Sequence, residues 1–439
     1  MDDHDRIFGT SSAEFGPQAD AGAEHRPSAE APAPRAAAAA LAGVRVVDLT
    51  QFEAGPVCTE TLAWLGAEVI KVEAPGRGEQ GRKATTDAAN LDSNFFLILN
   101  ANKRSITCNL KDEEGRALFR RLIAEADVFI ENFAPGAIER LGFSYDEVRK
   151  INPSIIYAQI KGFAPEGPYA NYLAFDAIAQ AAGGSVSITG EEDGRPLKPG
   201  LNVADTGAGL HCAIGILAAL YQRRITGEGQ RIEVAMQDAV INFGRIAFAA
   251  QANSGKAAPR TGNQSILAGT SPSEVYPCKG AGPNDYCYVY TSRAGNHHWE
   301  RLLTVIGRED LKDDARFTTP QARQGRYREV DAVIAEWTRL HDKREVMRQF
   351  GEAGIPASAV FDTWELTHDP HLRARGTFVT VDHPERGSFT MPGFVVKMSG
   401  SQVPMAPAPL LGADNAHVYR RLLNLPEEEL GRLSAAGVI

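Results

Sequence analysis

From residue 41 onward, short β-branched runs alternate with stretches of helical period. "VRVVDLT" (44–50) reads as a strand, "PVCTETLAWLG" (56–66) as a short helix closed by Gly66, and "EVIKVEAP" (68–75) as a second strand. The alternation continues through a strand at 105–110, a helix at 112–126, a strand at 127–132, helices at 135–142 and 144–152, and a strand at 154–162. Strands separated by helices of this length predict an α/β fold with a doubly wound, mostly parallel sheet.

The pattern then changes. "GLNVADTGAGLHCAIGILAAL" (200–220) places one acid, Asp205, before a run that is apolar on nearly every face as far as Tyr221. Such a run predicts a buried helix, with Arg223 and Arg224 in its last turn and Gly227 as its stop. A strand at 230–236 and one long helix at 237–255 follow, and periodicity is lost over 256–274. A second unit carries strands near 274–279 and 286–291, helices near 296–306 and 343–352, and an apolar segment at 355–361. More strand from about 375 and a last helix near "PEEELGRLSAAG" complete the chain, with no internal repeat.

Composition narrows the class. Hydrophobic content of 43% and charged content of 23% are ordinary for a globular protein, and a net charge of −9 offers no broad basic surface to nucleic acid or anionic membrane. Five cysteines, an odd number without CxxC spacing, fit neither a disulfide framework nor a zinc ribbon and point to a reducing, cytoplasmic setting. No run of about 18 apolar residues free of polar groups predicts a membrane span. Residues 1–40 are rich in Ala, Pro, Glu and Asp, which predicts a disordered tail, and Asp2, Asp3 and Asp5 argue against a secretory or transit peptide.

Several familiar chemistries are absent. Glu73 ends the second strand where a ribose-binding acid could stand, but the first turn, "TQFEAGP", has a single glycine and no Gly-x-Gly-x-x-Gly cradle. There is no Gly-x-Ser-x-Gly elbow, no P-loop and no paired histidines at metal spacing, and His297 and His298 would point about 100° apart on a helix. Carboxylates remain. Asp205 reads either as an N-cap or as a group doing chemistry, and Asp176 in "YLAFDAIAQAAGG" (172–184) reads as another cap before a short apolar helix. Gly183, Gly184, Gly207 and Gly209 permit close approach of a ligand or another backbone. A carboxylate facing such a gap can attack a thioester and carry the acyl group covalently.

At this point the residues resemble a known family. "LAGVRVVDLTQFEAGPVCTETLAWLGAEVIKVEAP", "NANKRSITCNLKDEEG", "DVFIENFAPGAIERLGFSYDEV", "NPSIIYAQIKGF", "GPYANYLAFDAIAQAAGG", "ITGEGQRIEVAMQDAV" and "APLLGADN" together resemble the family III CoA-transferases, over nearly everything from Leu41 to Ile439. The resemblance implies a Rossmann-like large domain (41–236), a linker (237–261), a smaller α+β domain (262–360), and a linker with a C-terminal segment returning to the large domain (361–439). It also implies a homodimer of two chains threaded like linked rings.

The resemblance further implies a reaction on Asp205, through a mixed anhydride and then an aspartyl-CoA thioester. The acyl-CoA is a substrate, and neither a permanently bound cofactor nor a metal is expected. Amides at the helix start would then hold Asp205's charge or an oxyanion. The matching CoA positions are Ala54, Asn109, Lys111, Asn132, Phe133, Arg140, Phe175 and Asp176, with Glu53 beside Asp205 as the second catalytic position. Lys111 and Arg140 suit phosphates. The wording of "EAGPVCT", "NANKRS", "ENFAPGA", "GILAAL" and "VAMQDAV" is closest to members that use formyl-CoA and oxalate. Succinyl-CoA or acetyl-CoA donors with dicarboxylate acceptors come next.

Three departures bear on that expectation. Glu53 stands where formyl-CoA-using members carry Gln, and a second acid near Asp205 raises a pKa or repels an anionic acceptor. The glycine-run loop before "YPCKG" is replaced by "ILAGTSPSEVYPCKG". Phe175 replaces the His with which family racemases precede the aspartate matching Asp176, and Phe transfers no proton. The alternatives are an α-methylacyl-CoA racemase or isomerase on the same scaffold and a CoA-binding protein without catalysis.

Overall fold

The computed structural model describes residues 39–84, 88, 90–266, 271–280, 282–291 and 295–439. The tail expected over 1–40 therefore falls, up to residue 38, outside the described residues, as do four positions (267–270) of the segment that replaces the glycine-run loop.

Six strands form the main sheet: β1 (Arg45–Asp48), β2 (Glu68–Glu73), β3 (Arg104–Thr107), β4 (Val128–Glu131), β5 (Ile156–Lys161) and β6 (Arg231–Ala235). Their order is β3-β2-β1-β4-β5-β6, and every pairing is parallel. This is the doubly wound arrangement, with the order reversing between β1 and β4. Both faces of β1–β5 are buried, so neighbouring residues go to opposite cores. Val46, Val69 and Val128 pack with helices Ala54–Trp64 and Val203–Thr226, whereas Val47, Ile70 and Phe129 pack with helices Glu113–Ala124 and Asn415–Leu423. Glu113–Ala124 shows why the elements form locally. Asp112 accepts from the amides of Glu114 and Gly115, acids fill the first turn, and Leu118, Phe119, Leu122 and Ile123 make one buried stripe. The chain end returns to the same face: Asp414 accepts from the Ser105 amide, Tyr419 donates to the Thr107 carbonyl at 2.8 Å, and Val438 accepts from the Asn109 amide.

A second, antiparallel sheet joins β7 (Ser273–Pro277), β8 (Tyr286–Tyr290) and β9 (Ala357–Ala359), with Trp299, Leu302, Val330, Ile334 and Phe350 packed on it. A hairpin of β10 (Phe378–His383) and β11 (Gly387–Pro392) follows.

Two expectations need correction. The single helix expected over 237–255 is two, Met236–Phe243 and Arg245–Ser254, broken at Gly244, where the lack of a side chain disfavours continued helix. The helix after Asp205 is not buried all round. Val203–Thr226 buries Ala204, Ala208, Cys212, Ala213 and Ile216, yet leaves Ile214, Tyr221 and Ile225 between 63% and 75% exposed. Among the described residues it is also the one helix long and apolar enough to cross a membrane, although the sequence pattern predicted none. In this fold it lies against helix Ala54–Trp64 and β5.

Candidate active site

In a doubly wound sheet the crevice lies beyond the carboxyl ends of the strands where their order reverses. Here that point is between β1 and β4, and the loops leaving both strands are tied together. Leu49 donates its amide to the Ile130 carbonyl, and Asn132 takes both backbone groups of Gln51, accepting from its amide at 2.9 Å and donating to its carbonyl at 2.8 Å. Asp48, buried at the end of β1, accepts from the Thr50 amide and from the hydroxyls of Thr50 and Thr59. Phe52 follows with φ +61°, a left-handed conformation costing about 1–2 kcal/mol in a residue with a β-carbon. Its amide donates to Glu79 at 3.0 Å, and its ring meets Phe175 edge-on at 6.0 Å. The turn delivers Glu53 to the start of the long helix. There Asn202 donates to one carboxylate oxygen of Glu53 at 2.7 Å and Thr206 to the other at 3.1 Å.

Asp205 sits in the first turn of that helix, not at its cap, which is Asn202. The cap function belongs to Asp176, one helix away. A single oxygen of Asp176 accepts from the amides of Ala204 (3.0 Å) and Asp205 (3.3 Å), while Gln180 donates to its other oxygen at 2.6 Å. Asp176 therefore does not cap its own helix, Asp176–Ala182, whose N-cap is Phe175. With those two amides taken by Asp176, the expectation that they hold Asp205's charge is reversed. Burial first, then the neighbouring Glu53 and Asp176 carboxylates, push Asp205 up to about 7. Burial also raises Glu53, with Asp176 adding to it against the hydrogen bonds from Asn202 and Thr206. Among the described residues nothing donates a hydrogen bond to the Asp205 carboxylate, which lines the crevice.

The crevice is about 270 Å³ at Asp205, lined there by Glu53, Ala54, Asn132, Phe133 and Phe175. It runs past Phe133 into cavities of about 470 Å³ at Arg77, Gln80 and Lys83 and about 370 Å³ at Asn109 and Lys111. The fold thus brings Asp205, Glu53, Ala54, Asn109, Lys111, Asn132, Phe133 and Phe175 along one groove. Arg140 and Asp176 do not line it, Arg140 being exposed at the end of helix Ala137–Arg140. Asn132 lines it with its side chain already committed to Gln51.

Phe133, shared by all three cavities, is held from both sides: Glu131 accepts from its amide at 2.8 Å, and Lys161, paired with Glu131 at 2.7 Å, donates to its carbonyl at 2.7 Å. Arg77, Lys83 and Lys161 were not singled out from the sequence. The one signal for the first two was the glycine-rich "PGRGEQGRK" after β2, at the carboxyl edge next to the switch point. The small residues serve packing: an added β-carbon at Gly209 would lie 2.5 Å from the Ala54 carbonyl oxygen, and one at Gly207 would meet the Phe243 ring. Among the described residues no group of three His, Cys, Asp or Glu could hold a metal ion, and all five cysteines are buried and unpaired.

A parallel doubly wound sheet with buried, mutually repelling carboxylates at its switch point and a long cation-bordered groove suits an enzyme of group transfer on a large anionic carrier. The chain belongs to CoA-transferase family III, whose pattern matches residues 41–415, and it is a CoA-transferase. It is similar to the formyl-CoA:oxalate CoA-transferase of Streptomyces avermitilis, at 44% identity over 91% of this chain and 99% of that one. Similarity to the Streptomyces coelicolor protein of the same name is also 44%, over 92% and 100%. Among solved structures, a CaiB/BaiF family protein from Brucella suis aligns with TM-score 0.78 at 32% identity, covering 87% of this chain and 99% of that one. Rv3272 from Mycobacterium tuberculosis aligns with TM-score 0.74 at 28% identity, covering 87% and 99%.

Proposed function

We propose that the protein moves CoA from an acyl-CoA to a small carboxylate through covalent intermediates on Asp205. The Asp205 carboxylate attacks the thioester carbonyl; the C–S bond breaks, leaving a mixed anhydride and CoA thiolate. The thiolate attacks the aspartyl carbonyl, releasing the donor's carboxylate and forming an aspartyl-CoA thioester. The acceptor carboxylate attacks that thioester and again expels thiolate. The thiolate then takes the acceptor's acyl group from the second anhydride and frees Asp205. Each step exchanges one activated acyl bond for another, so the thioester's energy is kept from water. The observation that carries this reading is the position of Asp205, at the end of a cation-bordered groove with its carboxylate free of donors among the described residues.

Formyl-CoA as donor and oxalate as acceptor is the substrate pair favoured by the names of the relatives. Glu53 bears on the acceptor. A dianion approaching Asp205, Glu53 and Asp176 meets repulsion, and the hydrogen bonds that Asn202 and Thr206 donate to Glu53 spread part of its charge. Ala54, Asn109, Lys111 and Phe133 border the CoA path, with Arg77 and Lys83 adding phosphate-binding charge. A cytoplasmic homodimer with interlocked chains, divided into domains at 41–236 and 262–360, completes the reading. The exposed Ile214, Tyr221 and Ile225 face of the long helix suits cover by a partner chain.

The test is mass spectrometry of the intact protein and its peptides after incubation with a panel of short acyl-CoAs and a hydroxylamine quench. A hydroxamate on Asp205 with one donor, lost in Asp205→Ala, is expected and names the donor. Measurable CoA binding with no adduct from any donor would overturn the covalent route.

A further inference from the structure

We propose that Glu79 is a positioning residue: its buried carboxylate holds Phe52 in the left-handed conformation and so keeps the Glu53 carboxylate against the first turn of the Asp205 helix. Phe52 is the joint between two anchored neighbours. Gln51 is fixed on both backbone groups by Asn132, and Glu53 is fixed at its carboxylate by Asn202 and Thr206. Between them the chain passes through φ +61° at a bulky aromatic residue, a conformation that persists only where surrounding contacts enforce it. One oxygen of Glu79 supplies that contact, accepting from the Phe52 amide at 3.0 Å and from the Gly81 amide at 2.8 Å. The other oxygen is buried with no hydrogen-bond partner among the described residues and faces the Lys71 ammonium at 3.6 Å. Lys71 is fully buried in β2 and donates to the Thr50 carbonyl at 2.7 Å. One carboxylate therefore joins the turn that presents Glu53 to the turn Gln80–Lys83 that borders the groove, and Lys71 braces both from beneath.

The link to catalysis rests on the proposed roles of Asp205 and Glu53. The hold on Phe52 does not, so the experiment reads both. Glu79→Ala, Phe52→Gly and the double variant of the full-length protein are compared by melting temperature and by steady-state CoA transfer. Glycine takes a positive φ without help, so Glu79 matters most where Phe52 is present. Glu79→Ala is expected to lower kcat at least tenfold with KM for the donor changed less than threefold. In the Phe52→Gly background the same substitution is expected to cost at least threefold less in kcat and fewer degrees of melting temperature. Equal costs in the two backgrounds overturn the proposal, and so does a loss confined to KM. If Glu79→Ala does not fold, Glu79→Met replaces it in the same cycle, keeping the side chain's bulk while removing both acceptor oxygens, with the same criterion. Should Asp205 form no adduct, the melting cycle alone still decides whether Glu79 holds Phe52.

Discussion

Replacing Asp205 with Asn is expected to make the protein more stable while abolishing transfer, and the gain should depend on pH in a defined way. In the fold the carboxyl titrates near 7 against an ordinary value of 3.8, chiefly through burial and then through Glu53 and Asp176. A folded value raised above the unfolded one means that the native state keeps its proton while the unfolded chain loses it. The stability associated with that proton is present below about pH 4 and is lost as pH rises through 7. The gap of about three pH units, at about 1.4 kcal/mol each, sets a ceiling of about 4 kcal/mol. The crevice admits water to this side chain, so a realised cost of about 2 kcal/mol is expected at pH 8. Asp205→Asn cannot ionise and escapes that cost. Thermal melting of both proteins from pH 4 to pH 9 should show no advantage at pH 4, a growing one to pH 7, and a plateau of roughly 2–4 °C above pH 8. An advantage that is flat across this range, or a variant that melts below the parent at pH 8, would refute the electrostatic account of the site.

Glu53→Gln removes one of the two carboxylates that raise Asp205, so the pH midpoint of turnover should move downward by less than about one unit. A midpoint that stays or rises would show that Glu53 is not charged beside Asp205. Arg77→Ala and Lys111→Ala should each raise KM for the acyl-CoA about 5–20-fold, leave kcat within about twofold, and matter less at high salt, as steady-state kinetics at two ionic strengths would show. Gly209→Ala drives a methyl group against the Ala54 carbonyl and Val57, and should cost about 1–3 kcal/mol with a fall in kcat, read by melting and turnover. Deleting residues 1–38 should leave turnover within about twofold, and loss of activity in the truncation would assign the tail a role.

The alternation of strand and helix, the helices beginning near residues 112 and 144, and the helix from Val203 to Thr226 were legible because each depends on period and on neighbours within a turn. The motifs also carried Asp205 and the groove residues after β1, β3 and β4, since strand ends are written locally even when the crevice they form is not. What the tertiary structure decided is every relation across the chain. Asp176 looked like the cap of its own helix, yet it caps the helix that starts at Val203, because only the folded chain brings those amides to it. Asp205 looked like a charge held by a helix start, and those amides prove to be taken. Position 52 itself holds a phenylalanine where a left-handed turn would call for glycine, and Glu79, whose carboxylate accepts from the Phe52 amide, lies 27 residues away. Apolar content predicted that the long helix would be buried on every side, whereas burial is a property of packing, and the Ile214, Tyr221 and Ile225 face of this helix is exposed. Local periodicity chooses the elements; pKa, strain and exposure belong to distances between elements, which no single stretch of sequence contains.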